Sequence, residues 1–263
     1  MSFTAAARVG KRVLTALLGL VAVTGLLWVG RVGFGLLWAA LGLLLLNEWR
    51  QGEGLSWKWA GALGLLSALL GLAPLYEGGW KVFFGALLVF LGGVVFFLDP
   101  KRELEVLYRL AWGGLFLSVG WSALLWLFWP RYAASSVLAF LSLVWVADTA
   151  AYLVGKAVGR FRILPRISPH KTWEGFLGSA LATAAWGHWA VPWTGLSSHG
   201  LPGALLGAGV ALVAFLGDAW ESAWKRKVGT KDSGTLLPGH GGIWDRVDAL
   251  LWVAPAWYFL LEA

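Results

Sequence analysis

Residues 134–154 read ASSVLAFLSLVWVADTAAYLV, a run of 21 residues whose only charge is Asp148. A transmembrane helix needs about 20 consecutive, predominantly apolar residues, and this run has that length. Further runs of the same character lie on both sides of it. Upstream they are Val13–Val29, Val32–Leu46, Trp57–Tyr76, Val82–Leu98 and Leu107–Trp129. Downstream they are Trp173–Trp193, Leu201–Trp224 and Val247–Leu261. The expectation is an all-α, polytopic integral membrane bundle of about nine transmembrane helices.

Composition agrees. The 263 residues are 59% hydrophobic and 13% charged, whereas a soluble domain is about 25% charged. The first run follows a short basic segment (Arg8, Lys11, Arg12) and competes with a signal peptide. It is longer than a usual signal core and no small-residue cleavage site clearly follows it, so it reads as a retained helix. Nine alternating spans with the N-terminus in the cytoplasm place 18 of the 21 Lys and Arg in the cytoplasmic segments 1–12, 47–58, 99–109, 155–172 and 218–248, counting Lys58 and Arg109 at the very start of their spans. Only Arg31, Lys81 and Arg131 fall on the other side. That asymmetry is the positive-inside pattern, which supports both the span count and the orientation.

The net charge of +7 therefore needs no nucleic-acid partner. Anionic headgroups of the bilayer are the natural counterpart. With no cysteine, disulfides, thiolate metal sites and Cys nucleophiles are excluded. The 20 tryptophans fit aromatic belts at the two interfaces. Glycines recur within the apolar runs, where small residues let helices approach closely and would allow a homodimer interface. No fixed-period repeat or soluble segment interrupts the chain, which reads as one membrane domain over 1–263.

Polar residues concentrate at one expected face. The segment 155–172, GKAVGRFRILPRISPHKT, carries Lys156, Arg160, Arg162, Arg166 and Lys171 with no acid. Topogenic charge explains part of this. Its end, Ser168-Pro169-His170-Lys171-Thr172-Trp173-Glu174-Gly175, also reads as a helix entry with a Ser or Thr cap. Backbone N–H groups there, with Lys171 beside them, form a phosphate cradle. Asp148 sits inside an apolar helix, a costly position that points to a polar cavity or a basic partner.

The segment 218–248 holds five acids (Asp218, Glu221, Asp232, Asp245, Asp248) and five bases (Lys225, Arg226, Lys227, Lys231, Arg246). On a helix, Asp218, Ser222 and Lys225 share one face, with Glu221 beside them. A carboxylate near a helix C-terminus is disfavoured by the dipole, so a cation should compensate it, either Lys225 or a bound metal. Gly239-His240-Gly241-Gly242 is flexible enough to turn backbone N–H groups toward an anion. Carboxylates facing bases suit Mg²⁺ complexed to a nucleotide. A solvated loop between helices is the plainer alternative. GxxxxGK[ST], HExxH and GxSxG patterns are all absent, which removes P-loop, zincin and serine hydrolase readings.

At these residues the chain resembles the phosphatidate cytidylyltransferase (CDP-diacylglycerol synthase) family. The likeness runs through Ser222-Ala223-Trp224-Lys225-Arg226, Lys231-Asp232, Pro238-Gly239-His240-Gly241-Gly242 and Asp245-Arg246-Val247-Asp248. Trp224 departs from the aliphatic, Met or Phe of the family pattern, at an apolar helix position that should tolerate it. The SPHKTWEG and WVADTAAYLVGK stretches are also similar. The likeness covers roughly 80–263, with 134–263 as the catalytic half, while residues 1–80 are matched by hydropathy alone.

The resemblance implies transfer of CMP from CTP to phosphatidate at the cytoplasmic face of the cell membrane, with Mg²⁺ as cofactor. It leaves room for a second, monovalent cation. It also implies Asp218 and Asp245 as metal ligands, with Lys225, Arg226, Lys231, His240 and Arg246 on phosphates and Asp232 and Asp248 in the catalytic set. Asp148, Ser168, Lys171, Thr172, Glu174, Ser222, Gly241 and Gly242 are then the substrate-binding residues. A CTP-dependent polyprenol or phytol kinase is the alternative enzyme, and a transporter the alternative of another class. A transporter should carry its polar residues near the midplane rather than at one face.

Overall fold

The structure is a computed structural model, and it describes residues 30–55, 61, 115–128, 134–194, 202–236 and 241–262. Most of these residues are helical: α1 (Gly30–Glu53), α2 (Leu115–Phe128), α3 (Ala134–Val158), α4 (Trp173–Ala190), α5 (Gly203–Lys227) and α6 (Trp244–Glu262). Between α3 and α4 lies a ribbon of two short strands, β1 (Arg162–Leu164) and β2 (Ser168–Thr172). A 3-10 turn, Val191–Thr194, ends α4. The expected runs Val13–Val29, Trp57–Tyr76 and Val82–Leu98 fall outside the described residues apart from Gly61.

The helices extend past the apolar runs at their polar ends. The α3 helix continues from Val154 through Lys156 to Val158, and α5 continues through Lys225, Arg226 and Lys227. Cations in a last turn complement the helix dipole, so the charge that ends an apolar run prolongs the helix. By length and composition, Ser135–Val158 and Gly203–Lys227 can each cross a membrane. The ribbon was not anticipated by an all-helix reading. It is antiparallel, pairing Arg162 with Thr172 and Leu164 with Ser168. Pro165 lies in its turn, where a fixed φ and a missing N–H are both tolerated.

The chain divides into two compact units: Met1–Leu125 with Thr230–Val247, and Trp126–Gly229 with Asp248–Ala263. In the first, Trp38 of α1 and Trp121 of α2 stack with ring centroids 4.3 Å apart. Each indole N–H donates to the other residue's carbonyl at 3.2 Å, so neither is buried unpaired. Leu45 and Trp49 of α1 are fully buried.

The second unit is built on α4, which packs against α3 on one side and α5 on the other. Ser179 Oγ donates to the Ala147 carbonyl at 2.9 Å, and Trp186 Nε1 donates to Ser142 Oγ at 2.8 Å, joining α4 to α3. Against α5 the contact is backbone on backbone. A Cβ at Gly207 would overlap the Thr183 carbonyl, and one at Gly187 would overlap that of Gly203. Such close approach by small residues is how helices pack where apolar lipid supplies no driving force for association. Leu138, Leu181, Leu205 and Trp189 remain exposed on the outer faces of the same helices.

Candidate active site

Three carboxylates of the second unit converge. Asp218 and Glu221 lie one turn apart near the C-terminal end of α5, and Asp248 lies in the first turns of α6. One oxygen from each comes within 4.8 Å of the other two. Glu221 is 1% exposed. So many carboxylate oxygens crowd together in a partly buried place only with a proton among them or with positive charge to balance them.

Two lysines supply part of it. Lys171 Nζ sits 2.7 Å from Asp218 Oδ2 and also donates to the Phe215 carbonyl at 3.3 Å. The same ammonium lies 4.7 Å from the centre of the Phe215 ring, a cation–π distance. Lys225 Nζ sits 2.9 Å from Glu221 Oε2, one helical turn on. Asp148, on α3, lies within the electrostatic reach of Asp248, Asp218 and Lys171.

Lys171 is delivered to this place by the ribbon. Thr172 ends β2 in an extended conformation and caps α4, its side chain accepting from Gly175 N at 3.2 Å. The Trp173 amide donates to the Phe161 carbonyl at 2.9 Å, while Glu174 accepts the Phe161 amide at 3.3 Å. Arg226 Nε donates to the Ile167 carbonyl at 3.2 Å, tying the end of α5 to the ribbon's turn. The predicted helix entry is therefore present, with a ribbon leading into it. Ser168 stands in register with Leu164, Thr172 serves as the cap, and Glu174 holds the backbone of Phe161. Ser222 lies on α5 between Glu221 and Lys225.

In the first unit a second cluster forms around Asp245. Its Oδ2 accepts from Ser233 N at 2.8 Å, Ser233 Oγ at 3.0 Å and Gly242 N at 2.8 Å. Gly241 adopts φ +83°, and a Cβ there would meet both Asp245 Oδ2 and Asp232 Cβ. A side chain is thus refused at Gly241 by backbone conformation and by space alike. Glu48, far away in sequence on α1, accepts from Ile243 N at 2.9 Å and Trp244 N at 3.1 Å. Lys231, Asp232 and Arg246 of this stretch are exposed. His240 lies outside the described residues.

The structure thus brings Asp148, Lys171, Asp218, Lys225 and Asp248 together in one unit, and Asp232, Gly241, Gly242 and Asp245 in the other. Asp218 and Asp245, the pair the resemblance implies as metal ligands, stand in different units with different partners. Asp218 is grouped with Glu221 and Asp248, and Asp245 with the loop backbone. Glu221 was legible only as an acid one turn beyond Asp218. Glu48 gave no signal beyond being an acid at the end of an apolar run. A set of three carboxylates is the hard oxygen donor set that Mg²⁺ takes, typically with phosphate oxygens and water completing it. The residues present therefore fit a divalent cation, with Lys171 and Lys225 paired to two of the three carboxylates.

The chain is similar to known proteins along nearly its whole length. A family model described as "Cytidylyltransferase family" matches residues 10–263. A protein of Brucella suis biovar 1 named phosphatidate cytidylyltransferase is 32% identical over 277 residues, covering 94% of this chain and 91% of its own length. A protein of that name from Pseudomonas aeruginosa is 41% identical over 157 residues, 59% of this chain and 58% of its own. Another, from Thermotoga maritima, is 36% identical over 186 residues, 66% of this chain and 68% of its own. With a family model and a 32%-identical relative both matching along nearly its whole length, the chain belongs to the cytidylyltransferase family and is a nucleotidyltransferase.

Proposed function

We propose that the chain transfers CMP from CTP to phosphatidate, releasing pyrophosphate and leaving CDP-diacylglycerol in the bilayer. The observation that carries this reading is the three-carboxylate cluster flanked by Lys171 and Lys225, in a chain whose relatives carry the name phosphatidate cytidylyltransferase. An oxygen of the phosphatidate phosphate attacks the α-phosphorus of CTP, and a new P–O bond forms there. The bond from that phosphorus to the oxygen bridging to the β-phosphate breaks, and its electron pair leaves with pyrophosphate.

The nucleophile is already an anion, so no strong base is required. The obstacle is repulsion between two phosphate-bearing partners, and catalysis then consists of positioning and charge neutralisation. Lys171 and Lys225 hold positive charge beside the carboxylates and lower that repulsion. Arg226, Lys231, His240 and Arg246 are further phosphate contacts on this reading. Mg²⁺, held by Asp218, Glu221 and Asp248, would neutralise triphosphate charge and orient the leaving group.

The membrane setting is part of the proposal: about nine spans, the N-terminus in the cytoplasm, and the site at the cytoplasmic face of the cell membrane. The charge asymmetry between alternate segments supports it. So do Leu138, Leu181, Leu205 and Trp189, which leave apolar outer faces on the helices of the second unit. Phosphatidate then reaches the site by lateral diffusion, with its acyl chains in lipid throughout.

Product analysis tests the reaction. Membranes containing the chain, supplied with phosphatidate, Mg²⁺ and CTP labelled at the α-phosphate, should give labelled lipid and pyrophosphate in equal amounts, and a chelator should stop both. Labelled CDP with unlabelled lipid would overturn the proposal in favour of a kinase. An N-terminal tag accessible to protease only in inverted vesicles tests the orientation.

A further inference from the structure

The signature loop of the first unit, residues 231–236 and 241–246, is gripped by a residue outside the signature. Glu48, on α1, is 7% exposed. Its Oε1 accepts from Ile243 N at 2.9 Å, and its Oε2 accepts from Trp244 N at 3.1 Å and Ser233 Oγ at 3.2 Å. Since α6 begins at Trp244, these two amides are among the donors that a helix start leaves without an intrahelical partner. An ionised carboxylate there forms charge-assisted bonds and complements the positive end of the helix dipole. Glu48 is in effect the N-terminal cap of α6, supplied from a residue nearly two hundred positions away.

Two glycines of the loop are shaped around this carboxylate. A Cβ at Gly234 would lie 2.8 Å from Glu48 Oε1, and one at Gly242 would lie 2.5 Å from Glu48 Oε2. Both are closer than real Cβ atoms come to a neighbour, so the loop has left room for Glu48. The Ser233 hydroxyl lies within hydrogen-bond distance of both Glu48 Oε2 and Asp245 Oδ2, and its single proton serves one of the two carboxylates at a time. Glu48 and Asp245 thereby hold the same stretch of backbone from two directions.

We propose that Glu48 is a positioning residue for cytidylyl transfer: its carboxylate fixes the signature loop against α1 in the form that receives the nucleotide triphosphate. This rests on the function proposed above. Glu48 is buried, with both carboxylate oxygens turned to the loop. It acts through the backbone of Ile243 and Trp244 and through Ser233, and so on where Asp232, Asp245 and Arg246 stand when CTP binds.

The test pairs steady-state kinetics with amide hydrogen exchange on the full chain in detergent. Glu48→Gln replaces one acceptor oxygen with an N–H donor facing other donors. Loss of charge-assisted bonds of this kind should raise the KM for CTP about tenfold and speed exchange of the 243–245 amides by a similar factor. The KM for phosphatidate should stay within about twofold, and exchange in α3–α5 should not change. Glu48→Asp keeps the charge but shortens the reach. It should show the same pattern more weakly, and it carries the test if Glu48→Gln does not accumulate as folded protein.

Wild-type exchange at 243–245 in Glu48→Gln overturns the clasp, whatever the kinetics. Faster exchange with an unchanged KM for CTP, or a fall in turnover alone, overturns the positioning role and leaves a purely structural one. If the wild type makes no pyrophosphate from CTP and phosphatidate, the functional reading fails and the positioning role with it. The exchange data still read the clasp in that case, so the two failures are told apart.

Discussion

Lys171, the penultimate residue of β2, places its ammonium 2.7 Å from a carboxylate oxygen of Asp218 on α5. One cation at the end of a ribbon thus compensates an acid on α5 that has two further carboxylates close by. Because the Phe215 ring and carbonyl also hold it, Lys171 is fixed rather than free to swing. The ribbon accounts for this: it ends in a residue that caps α4, so the position of Lys171 is set by hydrogen bonds on both sides.

Replacing Lys171 with Met should separate two effects. Without the ammonium the cluster is more negative, so the Mg²⁺ concentration for half-maximal activity should fall. Turnover should drop by about tenfold or more, the usual cost of losing a charged group that acts in the transition state. Lys171→Arg keeps the charge but not the shape of the contact, and it should recover only part of the turnover. A Mg²⁺ titration of pyrophosphate release measures both quantities. Unchanged turnover in Lys171→Met would show that the residue serves the fold alone.

The Glu221–Lys225 pair should matter for stability as well as activity. Their side chains are 2% and 15% exposed. Removing Lys225 leaves the Glu221 carboxylate buried beside Asp218 and Asp248 with less positive charge, at a cost of about 3–5 kcal/mol. Lys225→Met should therefore lower the detergent unfolding temperature, and Glu221→Gln, which also relieves crowding among the carboxylates, should lower it less. The double variant should regain part of that loss without regaining pyrophosphate release. Thermal unfolding followed by tryptophan fluorescence, alongside activity, makes the comparison. Additive losses in the double variant would show that the two residues do not act as a pair.

Much of the second unit was legible in the sequence because apolar runs and their terminal charges specify helices directly. Ala134–Val154 and Leu201–Trp224 foretold α3 and α5, and Thr172 before Glu174 foretold the cap of α4. The β1–β2 ribbon was not legible, since strands of three and five residues, RIL and SPHKT, are too short to carry an alternating pattern. Glu48 was hidden for another reason. Its partners are backbone amides, which have no side-chain identity to read, and they lie in a distant segment. Glu221 was visible as an acid, but only the meeting of α5 with α6 groups it with Asp248.

Gly207 tests the packing that carries these residues. A Cβ there would overlap the Thr183 carbonyl and lie 2.7 Å from the Thr183 carbonyl carbon, both backbone atoms that cannot swing aside. Gly207→Ala should therefore push α4 and α5 apart and destabilise the protein by about 1–3 kcal/mol, as overpacking does. Gly209, against which nothing lies within 4 Å, is the control, and Gly209→Ala should be tolerated. Unfolding temperatures in one detergent compare the two. Equal effects would mean that the close contact between α4 and α5 is not what the glycine is for.

Neutralising the carboxylates one at a time tests the metal assignment, and the two clusters should answer differently. Asp218→Asn and Asp248→Asn each remove charge from the group whose oxygens lie within 4.8 Å of one another. Each should raise the Mg²⁺ needed for half-maximal pyrophosphate release by about tenfold or more, and excess Mg²⁺ should restore part of the activity. Asp245→Asn has a further consequence, because Oδ2 also holds Ser233 N and Gly242 N. An amide can keep one oxygen toward those donors, yet it weakens charge-assisted bonds, so exchange of the Ser233 and Gly242 amides should quicken. Excess Mg²⁺ should not reverse that loosening. If Asp218→Asn keeps the wild-type Mg²⁺ dependence, the three-carboxylate cluster is not where the cation binds. If Asp245→Asn shows a Mg²⁺ shift with unchanged amide exchange, Asp245 acts on the metal rather than through the loop.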